Sequence, residues 1–128
     1  MSIPVRIQLS RKKGWRMPPN TVSVARPTKW GNPYWDTRRY GLSLCLTMFK
    51  ETANGFWSAS NVPNGPHREA WIEQLYRNHC DWMKRLKQTG PWHPVEAARS
   101  ELRGKNLACW CSLDQPCHAD ILLEIANS

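Results

Sequence analysis

A chain of 128 residues, 41% hydrophobic and carrying a formal net charge of +8, has room for one domain with a true core and too little for two. No apolar run reaches the roughly eighteen residues of a membrane span, and the opening Met1-Ser-Ile-Pro-Val-Arg6 lacks the basic-then-apolar form of an export signal. A soluble, cytoplasmic protein without a membrane partner is expected, and its odd count of five cysteines argues for reduced thiols rather than a disulfide framework.

In chain order, Val5-Arg-Ile-Gln-Leu9 and Thr21-Val-Ser-Val-Ala25 alternate apolar and polar residues, the pattern of half-buried strands. Between them, residues 11–20 combine glycine, paired prolines and asparagine, so an exposed loop able to close over a ligand is expected. Residues 26–35 contain two prolines and a glycine and read as an irregular turn. Leu42, Cys45, Leu46, Phe49, Ala53, Phe56 and Trp57 recur at helical spacing, which predicts a helix over about 43–57 with Cys45 in the core. A second helix is predicted over about 67–88, burying Trp71, Leu75, Trp82 and Leu86, and a third over about 95–103. Residues 106–111 read as the third strand. The last helix starts near Cys117 and buries Ile121, Leu122 and Ile125, with Ser112 or Asp114 near its start. The expected fold is α/β: one domain, with a small three-stranded, partly parallel sheet packed against about four helices.

The charge is concentrated. Arg6, Arg11, Lys12, Lys13, Arg16, Arg26, Lys29, Arg38 and Arg39 face a single acid, Asp36, in the first forty residues, whereas the remainder balances. Interleaved with Trp15, Trp30, Tyr34, Trp35 and Tyr40, this region suits phosphate binding with rings to stack on bases. A nucleotide or nucleic acid is therefore the expected partner. Arg11, Lys12, Lys13, Trp15 and Arg16 are the candidate nucleic-acid contacts in the first loop, and Arg26, Lys29, Trp30 and Asn32 the candidate ligand residues in the second. Lys29 could equally be a plain surface cation, and Trp30 a core anchor.

Three of the five cysteines lie in Leu107-Ala-Cys-Trp-Cys-Ser-Leu-Asp-Gln-Pro-Cys-His-Ala-Asp120. On a strand, Cys109 and Cys111 share one face and Trp110 takes the other. Thiolate and imidazole are the ligands of zinc and also the parts of a thiol nucleophile with its base, so both readings stay open. Under the catalytic reading Cys111 or Cys117 is nucleophile, His118 is base and Asp120 orients the histidine, although a plain helix-start role for Asp120 is equally open. Under the metal reading Cys109, Cys111, Cys117 and His118 hold zinc, with a C-x-C pair and an adjacent Cys-His pair that strain coordination of one ion by all four. His67, His79 and His93 form no ligand pair.

The two regions come together if the second and third strands are parallel. Both then end at one edge of the sheet, where ligands of open α/β sheets bind. The motifs Val-Ala-Arg-Pro-Thr-Lys-Trp-Gly-Asn-Pro-Tyr at 24–34 and Leu-Ala-Cys-Trp-Cys with Cys117-His118-Ala-Asp120 resemble a family of small phage and bacterial proteins catalogued as a domain of unknown function. The resemblance spans most of the chain, implies a phage or prophage origin in a bacterial host, and brings no activity. Hydrolysis or group transfer on a nucleotide is the leading expectation. Its rivals are non-catalytic nucleic-acid binding and a host-directed inhibitor that docks on an acidic protein surface.

Overall fold

The computed structural model describes residues 3–91 and 93–128. The elements are β1 (Arg6–Gln8), β2 (Thr21–Ser23), α1 (Thr37–Tyr40), α2 (Leu42–Ala53), α3 (Arg68–Thr89), α4 (Pro94–Leu102), β3 (Asn106–Cys109) and α5 (His118–Asn127). The sheet runs in the order β1-β3-β2 and is wholly parallel rather than partly so. Arg6 pairs with Leu107 and Thr21 with Asn106, so β3 is the centre on which both N-terminal strands lean. That placement explains its burial. Leu107, Ala108 and Cys109 are all inside, as expected of a central parallel strand covered on both faces.

Among the described residues five helices form instead of about four, the addition being the single turn α1, capped by Asp36 accepting from the Arg39 N–H. Helix α2 stops at Ala53, short of the expected end, because Asn54 folds its side chain onto the Lys50 carbonyl and Gly55 turns to φ +83°. Beyond it Trp57 packs edge-on against Tyr76 of α3 at 5.0 Å between ring centroids. Strand β3 ends at Cys109, so Trp110 swings out and is 46% exposed. Among the described residues no helix is long and apolar enough to cross a membrane.

The core joins Val24, Trp30, Tyr34, Met48, Phe49, Leu75, Trp82, Leu86, Leu102, Leu107 and Leu122 from every layer of the fold. Cys45 lies in it as expected, its thiol pushed up to about 11 by burial, an inert sulfur. Because β1 and β2 are parallel, residues 9–20 must run back from one sheet edge to the other. The loop begins with Leu9 bonded to the Cys109 carbonyl and ends with Asn20 bonded to the Gly104 carbonyl and the Asn106 N–H.

Candidate functional site

The strands β2 and β3 end at one edge, and the segments that follow them enclose a cavity of about 200 Å³. Ala25, Arg26, Asn32, Tyr34 and Trp35 supply one wall, while Cys109, Trp110, Cys111, Pro116, Cys117 and His118 supply the other and the floor. The juxtaposition expected from a parallel pair therefore holds.

Each wall has a local cause. The turn after β2 is closed by Thr28 N–H and Oγ1 bonds to the Ala25 carbonyl and by Gly31 N–H to the Thr28 carbonyl. Gly31 lies so close to Arg26 that a side chain there would collide with the arginine Cγ. Arg26 is exposed and its guanidinium stands 6.0 Å over the Trp35 ring. Asn32 turns its carbonyl oxygen back to accept from the Tyr34 N–H, leaving its amide nitrogen as the donor available at the cavity wall.

Two of the expected ligand residues are elsewhere. Lys29 does not face the cavity: its ammonium meets both oxygens of Glu101, at 2.6 and 2.9 Å, and the Thr89 hydroxyl at 3.0 Å. Its charge is already neutralised. Trp30 is 4% exposed and takes the core-anchor role, beside Trp82, whose indole donates to the Lys29 carbonyl at 2.7 Å. The ring surface available to a ligand belongs to Trp35 and Trp110, 57% and 46% exposed.

The floor is the thiol–imidazole cluster. Cys109 Sγ is 3.8 Å from Cys111 Sγ, and Cys117 Sγ is 3.5 Å from His118 Nδ1. The other imidazole nitrogen, Nε2, lies 2.7 Å from the Val24 carbonyl oxygen, an acceptor, so it is read as the N–H donor and Nδ1 faces the sulfurs. Phe49 holds the ring edge-on at 5.4 Å. Hydrogen bonding from the Cys117 thiol pulls the Cys109 thiol down to about 3 against the opposing cost of burial, with His118 helping. Cys117 moves up as the donor of that pair, and Cys111 is raised chiefly by burial. Of the three thiols Cys109 is thus the one whose pKa is lowered, at a residue expected among the metal ligands.

Asp120 does not orient His118. Its carboxylate accepts from the Cys117 N–H at 3.2 Å and from Arg6 at 3.1 Å, the start-of-helix role. Cys117 itself is the N-cap of α5, its sulfur accepting from the Ala119 N–H, in place of Ser112 or Asp114, which pair with each other. Arg6 is the residue missed. Its side chain is 7% exposed, and besides Asp120 it donates to the Ser112 and Leu113 carbonyls, latching residues 112–113 to β1. The alternation of β1 puts Arg6 with Gln8 on the polar face, opposite Val5, Ile7 and Leu9, so the sequence carried no signal for its burial.

Of the first-loop residues, Arg11 reaches the site: its guanidinium lies 4.9 Å over the Trp110 ring. Lys12, Lys13 and Arg16 are exposed on the segment running away from that edge, and Trp15 is half-buried. Among the other histidines, His93 accepts from the Val95 N–H at the start of α4, and His79 meets Thr52.

Over residues 7–128 the chain matches the family model described as a domain of unknown function, DUF4326. No curated protein and no solved structure matches it.

Proposed function

The chain belongs to the DUF4326 family, and from the geometry of this member we propose that it binds a nucleotide or a nucleic acid phosphate at the sheet edge and hydrolyses it or transfers a group from it. The observation that carries this reading is one cavity with a guanidinium and two exposed indoles standing over a thiol–imidazole floor. Arg26 supplies a forked cation for a phosphate, and Trp35 and Trp110 supply faces for a base. At about 200 Å³ the cavity is smaller than the roughly 300–1,000 Å³ that encloses a drug-sized ligand. It seats one part of a nucleotide while the rest lies on the tryptophans. The group to be cleaved then meets Cys109, Cys111, Cys117 and His118.

Calorimetric titration with AMP, with a short single-stranded oligonucleotide and with inorganic phosphate tests the binding step. The expected result is saturable binding of the nucleotide, weakened about tenfold or more in Arg26→Ala, the loss of a charged hydrogen bond of about 1.5–3 kcal/mol. Absence of binding, or equal affinity in Arg26→Ala and Trp35→Ala, overturns the reading. The position of Arg11 over Trp110 favours a second reading, non-catalytic nucleic-acid binding along the basic loop. Under it the oligonucleotide binds with a steep salt dependence while AMP does not bind at all.

A further inference from the structure

We propose that Cys109, Cys117 and His118 form a zinc-binding site whose fourth coordination position opens to the cavity, with Cys111 beside that opening. One ligand atom from each of the three residues lies within 4.8 Å of the others, and all three residues are buried. Tetrahedral zinc, with bonds of about 2.3 Å to sulfur and 2.0–2.1 Å to nitrogen, places its ligand atoms roughly 3.5–3.8 Å apart. The observed Cys117 Sγ to His118 Nδ1 distance of 3.5 Å is one edge of that polyhedron, and the ligand atoms of both residues lie within 4.8 Å of Cys109 Sγ. The Cys117–His118 pair therefore stands at coordination spacing, and a shift of no more than about 1 Å brings the Cys109 sulfur to it.

The imidazole carries the second mark of a ligand. Its Nε2 is engaged by the Val24 carbonyl, the outer partner that fixes the tautomer and turns the Nδ1 lone pair toward the metal position. The objection from spacing, an adjacent Cys-His pair, is met by the backbone. Cys117 is extended (φ −146°, ψ 152°) as the helix N-cap while His118 is the first helical residue, and the change of direction between them turns both side chains to one side. Thiolate-rich donors select a borderline or soft cation and disfavour magnesium or calcium. Cys111 is half-buried and lines the same cavity, so it is placed either to close the coordination shell or to give way to an incoming ligand. This centre rests on the cluster alone and survives failure of the nucleotide reading.

The test is titration of the reduced, chelator-stripped full chain with cobalt(II) and then zinc, with metal content measured on protein purified without chelator. One equivalent of cobalt should bind, with thiolate-to-cobalt charge-transfer absorption, and zinc should displace it and raise the melting temperature. Cys117→Ser and His118→Ala should weaken binding by more than about 100-fold, beyond the loss typical of an outer partner. Cys111→Ser should keep the stoichiometry, and Cys80→Ser should leave the spectrum unchanged. Circular dichroism reports whether each variant folds, and should the ligand variants not fold, the wild-type titration decides. No charge-transfer absorption in the wild type, or absorption lost in Cys80→Ser but kept in Cys117→Ser, overturns the proposal.

Discussion

Arg26 and Lys29 belong to one turn and face opposite ways, which separates binding from stability at the scale of single residues. Lys29→Ala leaves Glu101 without its cation in a partly exposed setting, so a loss of about 1 kcal/mol in urea unfolding is expected, with nucleotide affinity unchanged. A drop in affinity equal to that of Arg26→Ala would return Lys29 to the site. The sequence could not reveal this partnership, because Thr89 and Glu101 lie 60 and 72 residues away and a lysine next to tryptophan reads the same in either setting. The lowered pKa of Cys109 was illegible for a related reason. Its sulfur is distinguished by Cys117, which arrives from the other side of a loop.

Elements were more legible than their ends. The two alternating runs, the helical spacing of Leu75, Trp82 and Leu86, and the Gly104 break each follow from local periodicity, and all reappear close to the expected places. Ends depend on single capping contacts: Asn54 cut α2 short through a side chain that no periodicity encodes, whereas α5 starts near Cys117 as expected, with the cysteine itself as the cap. The loop between β3 and α5 has a tertiary latch of the same kind. Arg6→Lys keeps the charge and loses the fork that serves Asp120, Ser112 and Leu113 together. We expect about 1–3 kcal/mol less stability in urea unfolding, and faster alkylation of Cys111 by a thiol reagent as residues 112–113 loosen. Unchanged values for both would mean that the latch is dispensable.

For the whole molecule, the network Tyr34–Thr52–His79 ties the cavity wall to α2 and α3. Burial holds the Tyr34 hydroxyl far above its ordinary range, so it remains a donor, and the Thr52 hydroxyl can then donate to an unprotonated His79 Nδ1. Burial also lowers the His79 pKa below its unfolded value of about 6.5. The unfolded chain therefore binds the proton first: the contribution of neutral His79 is complete above that value and is lost as pH falls through it. The difference in unfolding free energy between the wild type and His79→Gln should narrow from pH 8 to pH 5, and a difference constant over that range would remove His79 as the cause.

The central position of β3 has a consequence in time. Neither β1 nor β2 pairs with the other, and each waits for Asn106–Cys109, about a hundred residues after β1 and more than eighty after β2. A chain emerging from the ribosome carries two strands without a partner until its last quarter arrives, so early synthesis can build helices but no sheet. The strand that closes the sheet also delivers Cys109. The reactive floor is completed only when Cys117 and His118 follow, so the sheet closes first and the site assembles on it afterwards.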